Sequence, residues 1–350
     1  LHPSSLLQAF SFLYYTESMK ILYGIQGTGN GHLSRAIELI PHLKEEAEVD
    51  ILISGLHHDL EFKHPIKYKK QGLGFFFGKS GGVDIWKTIR KFNVYRFIRD
   101  IKSLPVEEYD LVISDFEPVT AWACKLKKVF CLGLSHQSAM LNSRTPLPGN
   151  IDAFGFKILK YYAPCSQNLS FHFKEYGHNM FTPIIRREIR KLEVQNKGFY
   201  VVYLPAYSDE KIISVLSQFS STKWLVFSKH SKQAYQKNNI SVRAVNSEEF
   251  IEGLKDCEGV LCGAGFETPA ETMHLGKKLA VIPMKNQFEQ VCNAYALEEL
   301  GVPVFYDLEE YSIKLIGHWL KEKEKSVRIN YPDNARNVIK HLMNHFTVNI

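Results

Sequence analysis

The stretch from Val260 to Ala294, VLCGAGFETPAETMHLGKKLAVIPMKNQFEQVCNA, restricts the chain to an α/β architecture. Val260–Cys262 reads as a short buried strand that runs into Gly263-Ala264-Gly265, a backbone almost free of side chains that can approach a ligand closely. Thr268 is a good N-cap for the helix expected next, Pro269 suits its first position, Glu271 stands three residues after the cap, and Gly276 is placed to end it. Exposed N–H groups and the positive end of the helix dipole favour phosphate at such a junction. Leu279–Ile282 is a second buried strand, and Lys285–Gln290 is a polar loop at its carboxyl end, the edge where open α/β sheets hold ligands.

The same alternation runs through the chain from Met19. Strands are expected at Lys20–Gln26, Val49–Ser54, Leu111–Ser114, Val129–Leu134 and Leu169–Phe173, and again at Phe199–Leu204, Trp224–Ser228, Ser241–Val245, Gly259–Cys262, Leu279–Ile282 and Val302–Tyr306. After the first strand, Leu33, Ala36, Ile37 and Ile40 mark one helical face, which Pro41 is expected to kink or end. The fold class is therefore α/β, with two Rossmann-like domains facing a central cleft: residues 19–187, a linker at 188–197 that overlaps the basic stretch Pro183–Gln195, and residues 198–330. A terminal helix at 331–350, with Val338, Leu342 and Phe346 on one side, is placed to cross back to the first domain. Residues 1–18 lack both an initiating Met and a basic n-region, and are expected to be an extension outside the fold rather than a signal peptide.

Composition excludes several classes. A net charge of +6 over 350 residues, without a basic stripe or a nucleic-acid module, argues against a nucleic-acid partner. The six cysteines show no CxxC pair or metal-ligand spacing, which reads as buried thiols of a cytoplasmic protein. No apolar run approaches the roughly 20 residues that span a bilayer.

Three strand ends carry candidate chemistry. GTGNGH, Gly27 to His32, lies between a strand and a helix, where backbone can hold phosphate or sugar; its GxGxG spacing misses the dinucleotide fingerprint, and Asp50 is the residue that keeps a ribose-binding acid in view. His32 falls in the first helical turn, where the dipole disfavours imidazolium and leaves a neutral general base. Asp115 and Glu117, two apart on an extended backbone, are expected to point the same way, and either bind a divalent ion, assist a base or cap the next helix. His136 and Gln137 end the next strand on the same edge.

GTGNGH, GAGFETPAE and QFEQVCNA together resemble GT-B-fold glycosyltransferases, in particular the peptidoglycan lipid-intermediate N-acetylglucosaminyltransferases and related glycosyltransferase-like proteins. The similarity covers Met19 to the end and is strongest over Val260–Ala294. It implies that Gly263, Ala264, Gly265 and Phe266 wrap a donor diphosphate with Thr268 at the helix start. It also implies that Glu271 takes the ribose hydroxyls, that Val245 and Phe250 lie near the base, and that Arg186, or Arg187, neutralises phosphate. Glu289 and Gln290 fall where the family holds the donor sugar with paired glutamines, so Glu289 is a departure. Gly27 is implied at the donor; Gly29, Asn30, Glu117, His136 and Gln137 are implied at the acceptor; His32 or Asp115 is implied as the base.

The activity implied is transfer from a nucleoside diphosphate sugar, as a UDP-sugar, to a hydroxyl or amine, metal-independent, inverting and without a cofactor. A UDP-N-acetylglucosamine 2-epimerase and a non-catalytic nucleotide-sugar sensor are the alternatives; an NAD oxidoreductase is disfavoured by GxGxG. Trp86–Lys102 sets Val94, Phe97, Ile98 and Ile101 on one face and Arg96, Arg99 and Lys102 off it. Such a helix either faces the core or lies on an anionic membrane and presents a lipid-linked acceptor, and the loop Gly74–Gly82 before it is placed at the cleft mouth.

Overall fold

The computed structural model describes residues 18–55, 62–72, 93–322 and 326–347. Nearly all of the expected tail, the Gly74–Gly82 loop and the first part of the Trp86–Lys102 segment lie outside the described residues.

The first sheet contains β1 (Lys20–Gln26), β2 (Glu48–Ser54), β3 (Tyr68–Lys70), β4 (Leu111–Asp115), β5 (Cys131–Ser135), β6 (Gln167–Phe171) and β7 (Met180–Phe181), in the order β3-β2-β1-β4-β5-β6-β7. Every pairing is parallel. Its central strands β1, β4 and β5 are buried on both faces, which is why they read as nearly continuous apolar runs. The helices between them are α1 (Gly31–Glu46), α2 (Val94–Ser103), α3 (Pro118–Lys127) and α4 (Ala153–Tyr162), followed by the short α5 (Arg187–Arg190).

The second sheet contains β8 (Phe199–Tyr203), β9 (Lys223–Ser228), β10 (Tyr235–Lys237), β11 (Ile240–Ala244), β12 (Gly259–Gly263) and β13 (Lys278–Ile282), in the order β10-β11-β9-β8-β12-β13. Only β10 among these is antiparallel to its neighbour. Its helices are α6 (Asp209–Leu216), α7 (Ser247–Asp256), α8 (Glu267–His274), α9 (Phe288–Glu299) and α10 (Glu310–Lys321), and α11 (Ala335–Thr347) ends the described chain. In each sheet the strand order reverses beside the first strand, between β1 and β4 and between β8 and β12. These two switch points open crevices at the carboxyl ends of the strands.

Three local expectations are corrected. The α1 helix continues past Pro41 to Glu46, because Pro41 is exposed and the apolar face Leu33, Ala36, Leu39, Ile40 and Leu43 stays buried on both sides of it. Val302–Tyr306 forms a single bridge, Val304 to Val281, because Pro303 has no N–H to extend a ladder. The α8 helix begins at Glu267 with Phe266 in the cap position, two residues before the cap expected at Thr268. Thr268 lies inside it, where its carbonyl accepts from Thr272 Oγ1 at 2.7 Å. The far end of α8 follows the sequence: Gly276 takes φ +68°, its N–H bonds Met273 O, and Lys277 N–H bonds Thr272 O, a Schellman ending.

One continuous buried cluster joins the sheets. At its centre His136 stacks on Phe266, ring centroids 3.8 Å apart, and the Asn293 carboxamide lies between His136 Nε2 (2.6 Å) and the Ala264 carbonyl (3.0 Å). The α11 helix packs on α1, with Arg336 paired to Glu45 at 2.7 Å. Arg190 donates to Tyr331 O at 2.8 Å and Pro332 O at 2.6 Å, which stitches the two chain crossings between the sheets to each other.

His172, 1 % exposed beside His136, accepts the Phe173 N–H through Nδ1 at 2.9 Å, and burial pushes its pKa down to about 4. The unfolded chain protonates this residue near 6.5, so between the two values it binds more protons than the native state. The contribution of His172 to stability is therefore complete above about pH 6.5 and is lost as pH falls toward 4. Urea unfolding midpoints should drop between pH 6.5 and 5 in the native sequence and drop less in His172→Gln; equal slopes would remove His172 as the cause.

Candidate active site

Between the two switch points lies a cavity of about 300 Å³. Its lining from the first half is Thr28, Gly29, Asn30, Gly31, Ser34 and Arg186. The second half supplies Tyr203, Pro205, Lys229, Val245, Asn246, Ser247, Phe250, Gly265, Phe266, Glu267, Thr268, Glu271, Met284 and Gln290. The N-termini of α1 and α8 meet across it, so two sets of N–H groups that have no acceptor within their own helix and two positive dipole ends face one space.

Of the expected donor residues, Arg186, Val245, Phe250, Gly265, Phe266, Thr268, Glu271 and Gln290 line this cavity, together with Gly29 and Asn30 expected at the acceptor. Gly27 does not: it is buried beneath Ile53, with its N–H on Ser54 O, and forms the turn that sets the loop. Gly263 and Ala264 are not part of the lining: Gly263 is half-buried beside Gln290 and Ala264 is fully buried. Asp50 pairs with Lys67 at 2.5 Å and Tyr109 at 2.8 Å toward the amino end of β2, the opposite edge from the cavity, which removes the ribose-acid reading.

Glu271 is not a capping partner. Arg186 grips it through both oxygens, Nε to Oε1 at 2.6 Å and Nη2 to Oε2 at 2.8 Å, and also bonds Glu188. Although burial opposes its charge, Arg186 is held a firm cation by this carboxylate. Arg187 is exposed and not part of the lining.

The remaining predicted residues meet at the carboxyl ends of β1, β4 and β5. Asp115 is fully buried and receives Arg35 Nε at 3.0 Å, Arg35 Nη2 at 2.6 Å, His32 Nδ1 at 2.7 Å and Tyr23 OH at 3.4 Å. Burial pushes its carboxyl up, but Arg35 and His32 outweigh that and hold it below the usual range. An ionised, saturated carboxylate orients the imidazole rather than taking a proton itself. Because Asp115 can only accept, its contact puts a proton on His32 Nδ1; Arg35 Nη2 lies 3.1 Å from the same nitrogen but donates to Asp115 Oδ1 at the shorter 2.6 Å. The His32 side chain is 12 % exposed, and Gln137 Nε2 lies 3.4 Å from His32 Nε2.

Asp115 and Glu117 do not share a face. Phe116 takes φ +53°, which breaks the extended backbone between them, and Glu117 turns inward to cap α3 through Val119 N (2.8 Å) and Thr120 N (2.6 Å). Burial raises its carboxyl, and it is closed to an acceptor. His136 is likewise structural, wedged between the sheets, with burial and His172 pushing its pKa down to about 3. Gln137 donates to Glu289 Oε2 at 3.0 Å, a direct bond between the halves. Glu289 is partly buried, and burial raises its carboxyl. Among the described residues, no group of three His, Cys, Asp or Glu side chains is arranged to hold a metal.

Arg35 and Glu267 carry no expectation from the sequence, yet they form the centre of the contact, with Arg35 Nη1 on Glu267 Oε1 at 2.9 Å. The spacing His32-x-x-Arg35 on one helical face was the readable signal. Tyr203 and Lys229 were marked only by standing at strand ends.

Comparison with known proteins agrees with this geometry. Three solved structures share the fold: Acinetobacter baumannii MurG (14% identity, 94% of this chain and 99% of that one, TM-score 0.53), a UDP-N-acetylglucosamine 2-epimerase (10%, 95% and 98%, 0.55), and Arabidopsis thaliana UGT89C1 complexed with UDP-L-rhamnose (13%, 95% and 94%, 0.52). No curated protein matches the chain. The model of glycosyl transferase family 1 matches residues 19–323, and with two parallel-rich α/β sheets enclosing a cleft of this kind the chain belongs to that family and has the GT-B fold.

Proposed function

We propose that the protein transfers a sugar from a UDP-sugar to an acceptor hydroxyl or amine, with inversion and without a metal or cofactor. The observation that carries the reading is the His32–Asp115 pair, an imidazole oriented through Nδ1, with Nε2 toward Gln137, on the residue that follows the cavity-lining Gly31. The base ring is assigned to the Val245–Phe250 wall, the ribose to Glu271 and the diphosphate to the Gly265–Thr268 turn. His32 Nε2 takes the acceptor proton as the acceptor oxygen or nitrogen attacks the anomeric carbon. The bond from that carbon to the diphosphate breaks, and the α8 N-terminus and Arg186 compensate the leaving charge. Attack from the side of His32, opposite the diphosphate, is what inverts the centre. Glu289 and Gln290 are assigned to the sugar.

A lipid-linked acceptor at an anionic membrane surface is supported by one outer layer. The α2 helix directs Ile101 inward but leaves Val94, Tyr95 and Ile98 exposed; Leu126 on α3 and Ile151, Phe154, Ile158 and Tyr161 along α4 are exposed as well. Arg96, Arg99, Lys125, Lys157 and Lys160 stand among them, and aromatic and basic groups together suit an anionic interface. Among the described residues no helix is long and apolar enough to cross a membrane, so contact of this kind is peripheral.

Calorimetry should detect UDP binding. Glu271→Ala should weaken it about 10- to 100-fold, the worth of one or two hydrogen bonds to a charged group. With a donor and acceptor found by screening, His32→Ala should cut kcat about 10²–10⁴-fold while UDP still binds. Conversion of UDP-N-acetylglucosamine without any acceptor would instead establish an epimerase, and binding without turnover a sensor. In vesicle sedimentation, Lys157→Ala with Lys160→Ala should lower partitioning to anionic vesicles about 30-fold, at about 1 kcal/mol per basic residue, and leave neutral vesicles unaffected. Equal partitioning of the two proteins would remove the membrane reading.

A further inference from the structure

Arg35 follows His32 by one turn of α1, and its guanidinium touches both the proposed base pair and the donor half. The side chain is 2 % exposed and its fork is fully engaged, with Nε and Nη2 on Asp115 and Nη1 on Glu267, while Nη2 also lies 3.1 Å from His32 Nδ1, a longer approach than its 2.6 Å bond to Asp115. Its planar cation also lies 5.2 Å from the centre of the Phe171 ring. Asp115 is buried deeply enough that, without a cation, its carboxyl would hold a proton. A protonated Asp115 could donate to His32 Nδ1 and move the imidazole proton to Nε2, the nitrogen that must stay free. Tyr23, at 3.4 Å, is too distant a donor to replace the guanidinium.

The second arm ends on the first residue of α8. There the N-termini of α1 and α8, two positive dipole ends, would repel without the Glu267 carboxylate between them. The fit is close: a Cβ on Gly31 would overlap that carboxylate. A diphosphate at the Gly265–Thr268 turn brings more negative charge into the same field, so it competes with Glu267 for the positive groups that Glu267 now satisfies.

We infer that Arg35 is a positioning residue that holds His32 in the tautomer with Nε2 free, through Asp115, and links the imidazole to occupancy of the donor cavity, through Glu267. The second link rests on the donor reading above; the first needs no ligand.

Nitrogen-15 histidine spectra of the whole protein test both, with His32 signals assigned by their loss in His32→Gln. The native protein should show the proton on Nδ1, and Arg35→Met should move it largely to Nε2. Should circular dichroism show that Arg35→Met does not fold, Arg35→Lys carries the test, because it keeps the buried charge but loses the fork, and a mixture of tautomers is expected. A folded Arg35 variant with the native tautomer would overturn the first link. Saturating UDP should shift the His32 signals in the native protein and leave them unmoved in Glu267→Gln, although UDP still binds that variant by calorimetry. An unchanged UDP response in Glu267→Gln would overturn the second link. Failure of the native protein to bind UDP would overturn the donor reading and the second link together, while the ligand-free spectra would still decide the first.

Discussion

A carboxylate with no solvent contact needs a cation and several donors or it gives up its charge, and the centre of this protein is arranged around meeting that need for Asp115. Four donors converge on it, two of them from one guanidinium. Removing one partner of such a buried pair costs about 3–5 kcal/mol, because the other charge is left uncompensated. The requirement fixes α1 relative to β1 and β4, since Arg35 and His32 must both reach the end of β4. It also constrains the second half, because the third arm of the guanidinium must find Glu267.

The opposite wall of the cavity carries a second buried arginine–carboxylate pair, again with the carboxylate on α8. Arg186, at the crossing between the halves, holds Glu271 on α8 in a two-pronged pair. Each oxygen of that carboxylate has two acceptor sites, so Glu271 can take a ribose hydroxyl without releasing the arginine. The ion pair therefore pre-orients an acceptor group, and a nucleoside would find it already aimed. Gln137 and Glu289 add a weaker bond between the halves nearby.

Much of this architecture was legible in the amino-acid order, because buried parallel strands write themselves as apolar runs and the loops after them carry the glycines and polar residues. The cavity-lining residues Gly265 and Thr268 could be named on that basis, and Phe266 and Glu271 from the family resemblance. What could not be read depends on single backbone angles or on distant partners. The positive φ at Phe116 separates Asp115 from Glu117, and no pattern of residue types announces it. Thr268 and Glu271 match a capping box, yet a bidentate arginine 85 residues away is a better partner for Glu271 than one backbone N–H. Pro41 misleads for the opposite reason: a helix with a long buried face tolerates one lost bond on its wet side.

The double crossing stitched by Arg190 governs how the halves can move. A single linker would leave a swivel, free to turn in any direction. Here the chain passes between the sheets near Arg187–Arg190 and returns before Ala335, and the guanidinium of Arg190 bolts the two passages side by side. Two adjacent fixed passages constrain direction as a door hinge does: rotation about the line through them is the motion they leave, although it must part the buried cluster between the sheets, while twisting and sliding across it are resisted. Any opening of the cavity is thus directed along one arc, and each closure returns the α8 N-terminus to the same place opposite Arg35.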